Sequence, residues 1–140
     1  MNKITHIVGI DEVGRGPLAG PVTVCACVVA RDFDEKHFTG IRDSKKLSAR
    51  RREEWFVKIS DFKSRGELDF AISSVSANEI DKIGIAYAIK KALNGAIFAL
   101  SLIPETTHIK LDGALKAPKK FLFQETIIRG DEKIPIISAA

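Results

Sequence analysis

Two adjacent carboxylates, Asp11 and Glu12, close a short apolar run, and a glycine-framed arginine, Gly14-Arg15-Gly16, follows at once. Carboxylate oxygens are the donors that hard cations such as Mg²⁺ and Mn²⁺ prefer. Glycines on either side of Arg15 let the backbone turn sharply and approach a ligand closely. One half of residues 10–21 could therefore hold divalent metal while the other half touches a substrate. A third carboxylate, Asp112, stands far along the chain in Leu111-Asp112-Gly113. Each group taken alone also fits a solvated turn, where acidic residues beside glycine are common.

These carboxylates need strands to position them. The apolar run Ile7–Ile10 predicts a strand ending at the acidic pair, and His108–Leu111 predicts one ending at Asp112. Ligands of open α/β sheets sit at strand ends. If these two strands are neighbours, three carboxylates converge and could balance two divalent cations about 4 Å apart. Adjacent residues of a regular strand point to opposite faces, so Asp11 and Glu12 can share a metal only through a bend. Val13-Gly14 can supply it.

Further elements follow from the same pattern. Val22–Ala30 reads as a central strand, apolar on both faces. Ser48 would cap a helix carrying Trp55, Phe56, Ile59 and Phe62 on one face, around which Arg50, Arg51 and Arg52 fan. Leu68–Val75 reads as a strand, and Ser76-Ala77-Asn78-Glu79 as a capping box. Gly84 divides a short helix from a longer one striped with Ala86, Ile89, Leu93, Ile97 and Leu100. Thr126–Arg129 predicts a last strand. The order implies one α/β domain over residues 1–140, with a mixed central sheet flanked by helices.

Composition agrees with a nucleic-acid partner without proving one. The chain has 140 residues, a net charge of +4 and a pI of about 9.1. A basic balance suits polyanions. Cys25 and Cys27 lie on one face of a strand; two thiols are too few for a structural zinc site, and they read as core residues of a reducing compartment. No apolar segment is long enough to span a membrane and no signal peptide is evident, which implies a cytoplasmic protein.

Gly14-Arg15-Gly16-Pro17-Leu18-Ala19 also satisfies the dinucleotide pattern G-x-G-x-x-A, with Asp32 or Asp34 as the ribose acid. That fingerprint must open a helix, whereas here it runs through Pro21 into Val22-Thr23-Val24. Two carboxylates would also repel a pyrophosphate.

Together these residues resemble bacterial ribonuclease HII. The resemblance rests on Gly9-Ile10-Asp11-Glu12-Val13-Gly14-Arg15-Gly16-Pro17-Leu18-Ala19-Gly20-Pro21-Val22 and on Asp43-Ser44-Lys45-Lys46-Leu47-Ser48. Glu79-Ile80-Asp81, Gly84-Ile85, Leu111-Asp112-Gly113, Gly130-Asp131 and Ile137-Ser138-Ala139-Ala140 continue it in order.

The resemblance implies a ribonuclease H-like fold. It also implies a metal-dependent endonuclease, using Mn²⁺ or Mg²⁺, that cuts the RNA strand of RNA–DNA hybrids and single ribonucleotides in duplex DNA. A two-metal mechanism leaving 5′-phosphate and 3′-hydroxyl ends comes with it, as does action as a monomer. Asp11, Glu12 and Asp112 match the family's metal-binding carboxylates. Gly14, Arg15 and Gly16 match the loop that senses the 2′-hydroxyl, the one group that distinguishes RNA from DNA. Ser44, Lys45 and Lys46 look like phosphate contacts; Lys116, Lys119 and Lys120 form a second basic cluster that could track a duplex backbone.

The sequence given stops at Ala140, where related enzymes continue into a helix bearing a fourth acidic residue and then a substrate-stacking tyrosine. Asp131 matches a different position and is no replacement. The expectation is a C-terminally truncated domain with weakened metal binding. The alternative is a non-catalytic nucleic-acid-binding fragment, recognised by salt-sensitive binding to hybrids without metal-dependent products.

Overall fold

Among the described residues five strands form one sheet, and helices cover both of its faces. The computed structural model describes residues 3–13, 21–34, 36, 49–113 and 115–127. The strands are β1 (His6–Val13), β2 (Val22–Ala30), β3 (Leu68–Val75), β4 (Thr107–Asp112) and β5 (Gln124–Ile127). The helices are α1 (Ala49–Ser64), α2 (Ala77–Ile83) and α3 (Ile85–Ala99). The sheet order is β3-β2-β1-β4-β5. β1, β2 and β3 pair antiparallel, whereas β4 and β5 run parallel to β1. The expected mixed sheet flanked by helices is present.

β2 lies between two neighbours and is buried on both faces from Ala26 to Val29, so its apolar run is central. On one face Val8, Ile10, Val24, Ile109 and Leu111 pack with Leu93 and Ile97 of α3. On the other, Cys27, Val29 and Leu68 pack with Trp55 and Phe62 of α1. Strand alternation thus sorts odd and even positions of β1 between two separate cores.

Sequence readings of β1, α1 and α3 need correction. β1 does not end at Ile10: its pairing with β2 continues through Glu12↔Val24 and Val13↔Thr23. Backbone pairing there overrides the weak strand preference of an acidic pair. Phe56 is 62% exposed, because α1 turns Trp55, Ile59 and Phe62 inward at i, i+4 and i+7 and carries Phe56 off that line. On α3, Ala86 is exposed while Ala88, Ala92 and Ala96 are buried. The helix lies on the sheet along its small residues.

The Ser76 cap is formed, with its Oγ accepting from the Glu79 N–H at 3.3 Å. Gly84 separates α2 from α3 at φ +86°. β5 begins at Gln124 and not at Thr126. Ser48, the predicted cap of α1, lies outside the described residues.

Candidate metal-binding active site

β1 and β4 are neighbours, which meets the condition on which the carboxylate site depends. Their parallel register runs from His6↔Thr107 to Ile10↔Leu111. Asp11 and Asp112 are the next residues on each strand. Side chains at matched positions of adjacent strands point the same way, and the strands themselves lie roughly 4.8 Å apart. Two carboxylates are therefore side by side at the carboxyl ends of two parallel strands.

Asp11 is half-buried and stands opposite Cys25 of β2, while Asp112 stands opposite Ile127 of β5. One Asp11 oxygen, Oδ1, accepts the N–H of Glu12 at 2.8 Å. Gly113, at φ +62°, turns the chain immediately after Asp112 and donates its N–H to the Ile127 carbonyl at 3.1 Å. A side chain at Gly113 would be strained there, so glycine fixes where the strand-end carboxylate stops.

Glu12 is placed differently. It pairs with Val24, whose side chain belongs to the α3 core, whereas Asp11 pairs with Cys25 on the α1 side. Alternation therefore sends Glu12 toward the face opposite Asp11, and its Oε2 is shut off from solvent. Among the described residues no group of three or more His, Cys, Asp and Glu side chains is assembled for a metal ion. The sheet itself brings together Asp11 and Asp112. The regular strand also leaves no bend at the acidic pair up to Val13.

Gly14, Arg15, Gly16, Ser44, Lys45, Lys46 and Asp131 lie outside the described residues. Of the second basic cluster, Lys116, Lys119 and Lys120 are exposed on the loop that follows Asp112.

The donor set fits a hard cation. Two aspartate carboxylates at adjacent strand ends offer only oxygen, and Mg²⁺ is commonly held by one or two carboxylates together with waters and substrate phosphates. The nearest soft donor is Cys25. Burial, with the Asp11 charge second, pushes its thiol from 9.0 up to about 11, and metals bind the thiolate form.

Two neighbours of the site are absent from the sequence-based candidates. The sequence marks Cys25 only as a core residue, yet it borders Asp11. Lys110 is half-buried, two residues before Asp112 on the same face, and stands opposite Gly9. Counting back by two from Asp112 is the signal that would have found it.

Comparison with known proteins identifies the family. A family profile described as Ribonuclease HII matches residues 8–140. The chain belongs to that family. It is 46% identical over 135 residues to a ribonuclease HII of Shouchella clausii, covering 96% of this chain and 48% of that protein. A ribonuclease HII of Bacillus mycoides is 42% identical over 137 residues, covering 98% and 49%. The chain thus spans about half the length of the curated ribonucleases HII that it matches.

Among solved structures, ribonuclease H2 from Pyrococcus horikoshii superposes with a TM-score of 0.69 at 28% identity. The match covers 96% of this chain and 68% of that one. A ribonuclease HIII solved in complex with Mn²⁺ gives 0.64 at 20% identity, covering 98% and 50%. A likeness at that level speaks for the fold. The fold shared with ribonucleases H2 and HIII is thus the ribonuclease H-like one expected. Among the described residues no helix is long and apolar enough to cross a membrane.

Proposed function

We propose that this chain is the catalytic part of a divalent-metal-dependent endonuclease. It cleaves the RNA strand of RNA–DNA hybrids and single ribonucleotides embedded in duplex DNA, leaving 5′-phosphate and 3′-hydroxyl ends. The observation that carries this reading is the juxtaposition of Asp11 and Asp112 on adjacent parallel strands, within a chain of the ribonuclease HII family.

In this reading Asp11 and Asp112 hold Mn²⁺ or Mg²⁺; the family resemblance also implies Glu12 as a ligand, which requires β1 to bend at the acidic pair when the cation binds. Bound cations would supply water activation and stabilisation of the departing 3′-oxygen, the division of labour of a two-metal site. The chain's own groups do the rest. The Glu12 N–H donates to one Asp11 oxygen, which restrains the carboxylate. Gly14, Arg15 and Gly16 would read the 2′-hydroxyl. Ser44, Lys45 and Lys46 would hold the backbone phosphates, an electrostatic contact that weakens with salt. The protein would act as a monomer in the cytoplasm.

The test uses a duplex carrying one ribonucleotide, incubated with the chain and Mn²⁺ or Mg²⁺. Metal-dependent nicking at that position, abolished by Asp11→Asn, is the expected result. Salt-sensitive binding without products under any metal would instead identify a nucleic-acid-binding module.

A further inference from the structure

Between α3 and the loop joining β4 to β5 lies a cleft of about 430 Å³. Its floor is apolar, including half-buried Ile89 with buried Leu93 and Leu115, and its rim carries Lys90 from one wall and Lys116 and Lys119 from the other. Among the described residues no aspartate or glutamate lines it. Among the same residues none of these three lysines pairs with a carboxylate, whereas Lys63 and Lys91 elsewhere do. Three uncompensated ammonium groups thus surround one concave surface in a chain that has 18 acidic residues.

The cleft lies on the α3 side of the sheet, the face opposite Asp11 and Asp112. Its far wall starts at Leu115, whose N–H donates to the Asp112 carbonyl at 3.3 Å and so ties the cleft to the strand end that carries Asp112. We infer that this cleft is a nucleic-acid backbone site. In it Lys90, Lys116 and Lys119 neutralise phosphates of the duplex beyond the position where Asp11 and Asp112 act. The inference rests on the nuclease reading for its partner. Charge complementarity, and the bond that ties the cleft's loop to the Asp112 strand end, favour a duplex over an acidic peptide, because a backbone presents phosphates at regular intervals.

The experiment measures binding of a fluorescent RNA–DNA hybrid by anisotropy across a salt series, in EDTA so that no cleavage intervenes. The triple variant Lys90→Ala, Lys116→Ala, Lys119→Ala should bind about tenfold or more weakly at moderate salt. The slope of log affinity against log salt should fall by roughly 0.9 for each phosphate no longer neutralised. Replacement of the same three positions by arginine should restore binding and slope. Lys58→Ala with Lys82→Ala, on exposed positions of α1 and α2, should change neither. Unchanged affinity and slope in the triple alanine variant would overturn the proposal, and so would loss of binding to a poly-glutamate peptide with duplex binding intact. Failure of the nuclease reading looks different: lysine-dependent duplex binding with no metal-dependent product in any condition leaves the cleft assignment standing.

Discussion

Asp11 and Asp112 share a side of the sheet because each follows one member of the register pair Ile10↔Leu111. A substitution that keeps shape but removes charge tests them best. Asp112→Asn and Asp11→Asn should each reduce metal-dependent cleavage at least a hundredfold, on the order of 3 kcal/mol of transition-state stabilisation, and leave the thermal midpoint within a few degrees. Wild-type rates in either variant would remove that residue from the site. The two carboxylates were legible as residues; the turning of Glu12 to the opposite face was not, since the strand continues where a bend was expected. The thiols give a second prediction. Burial raises both, with Cys27 held further above the usual thiol range than Cys25. A group whose folded pKa is raised contributes stability that is present below its unfolded value and lost as pH rises through its folded one. The unfolding free energy from urea titrations should therefore fall above pH 9, by about 1.4 kcal/mol per pH unit for each thiol that ionises only on unfolding. Cys27→Ala should flatten that slope; an unchanged slope would assign the alkaline loss to other groups.

At the scale of elements, the connection from β4 to β5 has no helix to hold it among the described residues and is tied by side chains of β5, chiefly Gln124. The Gln124 carbonyl oxygen accepts from the Ala117 N–H at 3.0 Å, and its amide nitrogen donates to the Phe121 carbonyl at 2.7 Å. Thr126 Oγ1 adds a bond to the Leu115 carbonyl at 3.1 Å. Gln124→Leu keeps bulk but strands partly buried backbone groups, which should cost about 1–3 kcal/mol. The check is a lower urea midpoint at constant m-value; a midpoint within error would show that water replaces the amide. This anchor was not legible in the sequence, because nothing in a lone glutamine shows which carbonyls a folded loop will present to it. β2 and β3 were legible to the residue, since turn residues bound runs of clear β character. α3 was legible as a helix and in most of its buried face: Leu93 and Ile97 are buried as the stripe predicts, while Ala86 is exposed and the small Ala88, Ala92 and Ala96, which a search for large residues passes over, complete that face.

For the whole molecule, the site is a consequence of strand order, and strand order is what local pattern does not encode. β1 and β4 are far apart in the chain, and every residue between them must be laid down before Asp112 can reach Asp11. The α2–α3 crossover carries the chain from the β3 edge back across β2 and β1, with α3 covering β2 and β3 on the way. Val8 and Ile109, partners in the β1–β4 register, are both fully buried beneath that helix layer. Strands held by two neighbours and a closed core open only when the whole domain does, whereas edges open locally. Native-state hydrogen exchange should therefore place the amides of Val8, Ile10, Ile109 and Leu111 in one slowest class, exchanging at the free energy of global unfolding. Those of β5, paired on one side among the described residues, should exchange earlier. Urea should merge the two classes as global unfolding takes over. If β1 and β4 instead exchanged at different free energies, their pairing would be a separate, weaker step. The carboxylate site would then come apart while the rest of the sheet remained folded, and metal should shift the β4 amides alone. A single shared class predicts the opposite: binding at Asp11 and Asp112 slows the exchange of every central-strand amide together, by mass action on the folded state as a whole.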